Sequence, residues 1–147
     1  MEFTKCSIDS LEENAVLLSM RIFSPICILL WGAVGTGKTV FARAFIRSYY
    51  KNKTLRVISP AFTIIQTYSE NEECPGFSKF DIWHLDLYRI EKTNEIQELG
   101  LDEALEKNIC IIEWPEKFEK LPNKKIINVY LSTVSENLRN IKIEELN

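Results

Sequence analysis

Apolar residues in this chain recur at two kinds of spacing, helical in some stretches and continuous or alternating in others. The helical spacing, with apolar positions three and four apart, predicts helices that each bury one face. Polar caps, prolines and glycines indicate where those helices begin and end. The first predicted helix is 11–23, which begins with the capping-box pair Ser10 and Glu13, and the second is 39–51, about four turns long. Two short helices are predicted within 93–107, with a break at Gly100 and with Asp102 as the cap of the second.

Two continuous apolar runs, 26–31 and 109–112, are typical of strands buried on both faces of a parallel sheet. Shorter runs bounded by polar clusters, Pro or Gly predict the remaining strands. Early strands separated by helices favour an α/β fold that is parallel at the centre of its sheet and antiparallel at an edge. The other predicted strands are 55–59, ended by Pro60; 62–68; 80–88; and a C-terminal hairpin of 125–134 and 140–146 across 135–137, with a polar turn at 70–76.

Composition restricts the class of protein. The 147 residues fit a single domain, which we assign to 1–147. Hydrophobic residues make up 46% and charged residues 27%, a balance that excludes an intrinsically disordered chain. A net charge of −3 and a pI near 5.3 lack the general electrostatic footprint of a duplex-DNA binder. The composition is still compatible with a local basic patch that faces RNA.

The cysteines and the amino terminus bear on the compartment. None of the four cysteines belongs to a C-x-x-C pair, and the single histidine, His84, is far from each of them in sequence. We therefore expect no zinc site and reduced thiols in a cytoplasmic protein. The first residues do not have the pattern of a signal peptide, and the longest apolar run, 26–31, is too short for a membrane span.

The strongest chemical signal is a G-x-x-x-x-G-K-[ST] motif between a predicted buried strand and a predicted amphipathic helix. In this setting the glycines let backbone N–H groups turn inward into an anion nest, at which the positive end of the helix also points. Lys38 is predicted to reach the β- and γ-phosphates, and the Thr39 hydroxyl to ligate Mg²⁺. The motif predicts a nucleoside-triphosphate site formed by Gly32, Ala33, Val34, Gly35, Thr36, Gly37, Lys38 and Thr39.

A P-loop enzyme also needs a carboxylate at the end of a neighbouring strand, to hold Mg²⁺ or its water. Glu113 ends the second buried apolar run, and Asp86 lies at the far end of another predicted strand. The alternatives are a solvated strand end for Glu113, and a salt bridge to Arg89 or a helix cap for Asp86. His84 is in phase with Asp86, and a structural hydrogen bond is favoured over a catalytic role there.

Four further segments follow the glycine motif in order: SPAFTII from Ser59, HLDLYR from His84, ELGL from Glu98 and IEWP from Ile112. Together with the glycine motif they resemble the TsaE family, formerly called YjeE, of bacterial P-loop ATPases that assist threonylcarbamoyladenosine modification of tRNA. The resemblance covers about residues 10–118. Beyond residue 120 it is limited to a general strand pattern. HLDLYR with IEWP is far more specific than the glycine motif, which many families share.

This resemblance implies ATP and Mg²⁺ as ligands, with Thr39 and Glu113 at the metal. It also implies Lys38, Asp86 and Glu113 as the catalytic residues, with Asp86 a second acid needed for hydrolysis. The implied function is that of an accessory ATPase that drives a TsaB–TsaD-type complex through its cycle. Contact with tRNA is then expected to be indirect, and neither a membrane nor DNA is expected as a partner.

The resemblance further implies a switch over 59–68 whose position depends on the nucleotide, with Thr63 as its hydroxyl. Trp114 matches the family's tryptophan after the acid, and packing, nucleotide contact and partner contact all stay open as its role. The chain departs from the usual family pattern at three positions, which leaves room for altered hydrolysis or switching: Ala33 in place of an acid, Val40 in place of a second Thr, and Ala61 in place of the Thr of S-P-T.

Two other functions stay open at this level. One is a small-molecule or nucleotide kinase, although such enzymes usually clamp the phosphoryl group with several lid arginines, and the six arginines here form no cluster in sequence. The other is a nucleotide-dependent binding module with negligible hydrolysis. Analysis of the products separates the three functions, because they yield free phosphate, a phosphorylated acceptor or neither.

Overall fold

Seven strands form one mixed sheet in the part of the chain that the structure describes. The structure is a computed structural model and describes residues 1–71, 79–122 and 124–146. The elements in chain order are β1 (Glu2–Cys6), α1 (Ile8–Ser19), β2 (Ile26–Trp31), α2 (Lys38–Tyr49), β3 (Ile65–Tyr68), β4 (Ile82–Asp86), α3 (Thr93–Glu98), α4 (Leu101–Lys107), β5 (Ile109–Glu113), a 3₁₀ turn (Pro115–Lys117), β6 (Ile126–Ser135) and β7 (Leu138–Leu146).

The strand order is β1-β7-β6-β2-β5-β4-β3. The central strands β6, β2, β5 and β4 run parallel to one another, whereas β1 and β7 at one edge and β3 at the other pair antiparallel with their neighbours. The predicted α/β class, with a parallel centre, antiparallel edge strands and a C-terminal hairpin, is confirmed. Because β2, β4 and β5 are parallel, their carboxyl ends meet at one edge of the sheet, where ligands bind in open α/β folds.

Helices cover both faces of this sheet and give three layers. Alternate residues of β2 face opposite sides, as the period of a strand requires. Ile28 and Leu30 pack in one cluster with α1 and α2, and Cys27 and Leu29 pack in the other with α3 and α4. Every residue of β5 is buried as well. The two continuous apolar runs therefore each contribute to two hydrophobic cores at once.

The amino-terminal prediction is wrong in its boundaries. The chain first forms β1, which pairs antiparallel with β7, and α1 then begins at Ile8. The helix cap is Ser7, whose Oγ accepts a hydrogen bond from the Ser10 backbone N–H at 3.1 Å, so the capping box at Ser10 and Glu13 is not formed. The strand was missed because β1 is a short edge strand with no fully buried residue, and it carries no hydrophobic alternation.

The segment between α2 and β3 also differs from the prediction. Residues 55–59 form no strand, because side chains of α2 satisfy part of their backbone. Arg47 Nε donates to the Leu55 carbonyl at 2.9 Å, and Arg43 Nε to the Val57 carbonyl at 3.4 Å. The predicted strand 62–68 shortens to β3, since 60–63 form a turn closed by the Ile64 N–H on the Pro60 carbonyl at 2.7 Å.

The remaining predictions hold with smaller changes. The strand predicted at 80–88 shortens to β4, and the C-terminal hairpin turns at residues 136–137. The break between α3 and α4 falls at Gly100, whose φ of +64° favours glycine. Asp102 lies in the first turn of α4 and does not cap it, because Gly100 occupies the cap position. Most of the predicted turn at 70–76, with Cys74, lies outside the described residues.

None of the helices in the described ranges has the length and apolar character needed to cross a membrane.

Candidate functional site

The glycine-rich loop joins the carboxyl end of β2 to the first turn of α2. Gly32 has a φ of +148°, and a Cβ there would lie 2.5 Å from the Leu131 carbonyl oxygen. Gly37 has a φ of +104°, and a Cβ there would lie 2.9 Å from a methyl carbon of Leu11. A Cβ at Gly32 would thus collide with the backbone, and at both positions the positive φ favours glycine. The loop lines a cleft of about 420 Å³ together with Asp86, Glu113 and other side chains, and thus lies beside both predicted acids.

Lys38 lies at the bottom of this cleft and is only 5% exposed. Its Nζ donates to the carbonyl oxygens of Gly32 and, at 3.1 Å, of Ala33. The ammonium also lies 3.8 Å from the centroid of the Trp114 ring, within the range of a cation–π contact. Burial lowers the pKa of Lys38, while the carboxylates of Glu113 and two further acids partly oppose this shift. The loop thus holds its own cation through weak neutral acceptors that an anion can replace.

Glu113 joins the loop helix to the sheet. The Thr39 hydroxyl, in the first turn of α2, lies 3.0 and 3.1 Å from the two carboxylate oxygens and donates to them. His84 Nε2 lies 2.8 Å from Glu113 Oε1, and His84 is fully buried. Glu113 itself is 2% exposed, so it is not the solvated strand end that was the alternative. Two hydrogen-bonding side chains fix a buried carboxylate at the end of the strand next to β2.

Asp86 stands beside Glu113, because the two residues are register partners on the parallel strands β4 and β5. Its Oδ1 accepts a hydrogen bond from the Tyr88 N–H at 2.9 Å. Burial raises the pKa of Asp86, and the nearby charge of Glu113 raises it further. The alternative salt bridge to Arg89 is not formed among the described residues, since the Arg89 guanidinium lies 4.1 Å from the centroid of the Phe62 ring.

Trp114 is held over the cleft by an unusual backbone. Its φ of +61° is uncommon for a bulky residue and ends β5 abruptly before the 3₁₀ turn. The ring packs on Tyr88, with the ring centroids 4.9 Å apart, and on the Lys38 ammonium. Such outliers concentrate at functional sites, where the surrounding structure compensates their strain. The structure therefore shows that Trp114 packs on its neighbours and also lines the cleft.

The predicted switch lies beside the site rather than in it. Thr63 is exposed in the 60–63 turn and is not among the residues that line the cleft. Phe62 next to it is 79% exposed. One backbone bond connects this turn to the site, because the Asp86 N–H donates to the Ile64 carbonyl at 2.9 Å. Any displacement of Ile64 therefore acts directly on the strand end that carries Asp86.

Arg139 is a site residue that the sequence did not reveal. It lies on β7, is 8% exposed, and lines the cleft from behind the loop. Its Nε donates to the Thr36 carbonyl at 3.2 Å and its Nη2 to the Gly35 carbonyl at 3.1 Å. Its Nη1 donates to the carbonyls of Ser135 and Glu136 at the hairpin turn. In a trans peptide the C=O and the following N–H point in opposite directions. Arg139 therefore orients the loop peptides from the outside, and a separation of 103 positions hides this in the sequence.

The donor set suits a hard cation only in combination with a ligand. The described residues contain no group of three His, Cys, Asp or Glu side chains able to hold a metal. The two oxygen donors that do converge are Thr39 and Glu113, and Mg²⁺ is typically held by one or two such groups plus phosphate oxygens. The buried thiols take no part, since burial raises the pKa of Cys27 to about 12 and that of Cys110 still higher.

A glycine-rich loop between a central parallel strand and a helix of a three-layer α/β fold is the arrangement typical of P-loop proteins. The sequence matches the family described as "Threonylcarbamoyl adenosine biosynthesis protein TsaE" over residues 5–141. The chain therefore belongs to the TsaE family, and the resemblance stated from the motifs is confirmed.

Curated relatives and a solved structure agree with this assignment. A protein of Rickettsia felis named "tRNA threonylcarbamoyladenosine biosynthesis protein TsaE" is 39% identical over 128 residues, which cover 87% of this chain and 70% of the relative. A protein of the same name from Rickettsia bellii is 40% identical over 112 residues, covering 76% and 72%. The crystal structure of YdiB from Bacillus subtilis superposes with a TM-score of 0.74, covering 100% of this chain and 86% of that one. At 23% identity the last match shows the fold alone.

Proposed function

We propose that this chain is a Mg²⁺-dependent ATPase whose hydrolysis drives a TsaB–TsaD-type complex through the formation of threonylcarbamoyladenosine in tRNA. The observation that carries the proposal is the contact of the Thr39 hydroxyl with the carboxylate of Glu113 at 3.0 Å. It joins the end of the glycine loop to a buried acid on the next parallel strand. Membership of the TsaE family supports the pathway.

In this proposal the loop binds the phosphates of ATP through its inward N–H groups, with Gly35 and Thr36 oriented by Arg139. The Lys38 ammonium exchanges the carbonyl oxygens of Gly32 and Ala33 for phosphate oxygens, which are stronger acceptors because they are charged. Lys38 then balances charge that develops on the transferred phosphoryl group. The residue needs little displacement, because the carbonyls it leaves belong to the same loop.

The cation site is assigned to Thr39 and Glu113, whose oxygens already converge. Mg²⁺ held there would supply positive charge that neutralises the phosphates of ATP. A 2.8 Å hydrogen bond to His84 holds the Glu113 carboxylate in orientation independently of Thr39. Glu113 would thus keep its orientation if the Thr39 hydroxyl turned from its carboxylate to a bound cation.

Asp86 is proposed to orient the attacking water. It lines the cleft next to Glu113. The hydrogen bond from the Tyr88 N–H to its Oδ1 holds the carboxylate in one orientation. Burial raises its pKa, which makes the carboxylate a better proton acceptor than an exposed aspartate. The two acids then divide the chemistry, with Glu113 on the cation and Asp86 on the water.

Release of phosphate from ATP tests this proposal, measured on the protein alone and with purified TsaB–TsaD. The variant Lys38→Ala should abolish release under both conditions, whereas the exposed-acid control Glu119→Gln should behave as the wild type. Release that rises with the partners and disappears only in Lys38→Ala supports the accessory ATPase. ATP binding without release, with or without partners, contradicts hydrolysis and supports a binding module.

The kinase alternative has less support in this site. Among the described arginines only Arg139 lines the cleft, and its hydrogen bonds hold backbone carbonyls of the loop and hairpin. Arg43 and Arg47 are directed to the carbonyls of 55–57, and Arg89 lies over Phe62. A phosphorylated acceptor in place of free phosphate would reverse this preference.

A further inference from the structure

Acidic residues are absent from a long stretch of this acidic protein. Residues 14–69 carry seven of the 18 Lys and Arg residues and none of the 21 Asp and Glu residues. Most of these cations are not used by the nucleotide site, since Lys38 is the one among them that lines its cleft. Such segregation of charge creates a local positive field although the net charge is −3.

The fold collects these cations along one groove between α1 and α2. Arg43 and Arg47 are four residues apart on α2 and share one helix face, and Lys51 follows two residues after the helix ends. They line a groove of about 460 Å³ with Lys53, against a single acid, Glu12. We call these four cations, Arg43, Arg47, Lys51 and Lys53, the basic groove.

Neighbouring groups extend the same field. Arg56 is exposed on the segment that Arg43 and Arg47 hold against α2. Phe23 is 78% exposed in an adjoining pocket that shares Lys51 with the basic groove and also contains Lys79. An exposed aromatic ring beside a row of cations is the arrangement on which unpaired nucleotides stack while their phosphates are neutralised.

Helix stability alone does not explain this arrangement. Cations near the end of α2 interact favourably with the helix dipole, which accounts for Arg47 and Lys51. It does not account for Arg43, Lys53 or the exclusion of acids from residues 14–69. Among the described residues, Arg43, Lys53 and Arg56 form no ion pair with a carboxylate.

We propose that the basic groove binds the phosphate backbone of tRNA at an unpaired segment, with Phe23 stacking on a base. The proposal deepens the proposed function and rests on it, because tRNA is the substrate of that pathway. It replaces the expectation of indirect tRNA contact with a direct one. The groove begins one helical turn beyond Thr39, so RNA and nucleotide occupy separate surfaces joined by α2.

Fluorescence anisotropy with a labelled, unmodified tRNA transcript tests the proposal. The test variant carries Lys51→Gln, Lys53→Gln and Arg56→Gln, all exposed positions whose substitution leaves the bonds of Arg43 and Arg47 intact. The matched control removes the same charge elsewhere, through Lys5→Gln, Lys92→Gln and Lys120→Gln. A second test variant, Phe23→Ala, removes the ring without changing the charge.

The test variant should bind tRNA at least about tenfold more weakly than the wild type. Its salt dependence should also be shallower, by roughly 0.7 in log–log slope for each phosphate that the variant no longer neutralises. Phe23→Ala should weaken binding about fivefold with an unchanged salt slope. The control triple should stay within about twofold of the wild type, since its lysines are not among the residues that line the groove.

Three results would overturn the proposal. The first is that the wild type does not bind tRNA at about 50 mM salt, and the second is that tRNA binding weakens equally in the test and control triples. The third is that the test triple loses TsaB–TsaD binding but keeps its affinity for tRNA. The last result would assign the groove to an acidic protein surface. ATP binding and basal phosphate release of the test triple are measured in parallel. Their retention separates failure of the RNA proposal from failure of the proposed function.

Discussion

The candidate site around Glu113 and the segment 55–64 both lie near α2, but different contacts hold them. In the site, Lys38, Glu113 and His84 are all at most 5% exposed, and each is hydrogen-bonded within the site. In 55–64, Phe62 is 79% and Ile58 50% exposed. Its first part is held by the buried side chains of Leu55 and Val57 and by arginines of α2, and its last part by one backbone bond to Asp86.

The difference indicates which part of the site is preformed. Groups fixed by burial on both sides open only with the whole core, whereas segments with few buried contacts open locally at low free energy. The Thr39–Glu113–His84 chain is therefore expected to be rigid, and the more exposed 60–64 to rearrange when the nucleotide changes. Four substitutions test this contrast, and they are ordered by the size of the expected effect.

Glu113→Gln should have the largest effect. Glutamine keeps the shape and can still accept a bond from Thr39 or His84, but it lacks the charge that holds the cation, so hydrolysis should fall at least about a hundredfold. Phosphate release and thermal melting measure the two properties together. A variant with near wild-type turnover would show that the carboxylate beside Thr39 is not the cation-side acid.

Arg139→Met should come next, because it leaves the Gly35 and Thr36 carbonyls without their charged donor. We expect a loss of about 2 kcal/mol in the free energy of unfolding and at least about tenfold weaker ATP binding. Calorimetric titration and chemical denaturation give these values, with Lys142→Met on the same strand as the control. Unchanged ATP affinity would mean that the loop keeps its shape without the arginine.

Asp86→Asn should stabilise the protein while it slows hydrolysis. Because burial raises the pKa of Asp86 above its ordinary value of 3.8, the folded state binds this proton more tightly than the unfolded state. The carboxylate therefore destabilises the fold increasingly as pH rises above 3.8, and asparagine should gain about 1 kcal/mol at pH 7. Melting curves at pH 7 and near pH 4 check the sign, since the gain must shrink at the lower pH.

Thr63→Ala should have the smallest effect on stability, within about 0.5 kcal/mol, because Thr63 is exposed in a turn. Hydrogen exchange of residues 60–64 should nevertheless slow on nucleotide binding in the wild type, and less so in the variant. Equal exchange with and without nucleotide would remove the switch from this segment.

Features fixed by local patterns could be predicted from the sequence, whereas features that depend on distant contacts could not. The strand over 26–31, the strand ending at Glu113 and the glycine loop between two elements were all predictable, because burial on two faces and a phosphate nest each require a local pattern. The edge strand β1 and the segment 55–59 were not, since their conformation depends on pairing with β7 and on arginines of α2. Arg139 illustrates the same limit, because only the folded hairpin brings it to the loop.

That hairpin gives the protein an order of assembly during synthesis. The glycine loop leaves the ribosome early, but the arginine that orients its peptides follows 103 positions later. At about 5–20 residues per second, the loop waits roughly 5–20 s for this support. The residues of β2 and α2 are thus synthesised long before Arg139, and termination before Arg139 would yield a polypeptide with an intact glycine motif but without the side chain that orients its peptides.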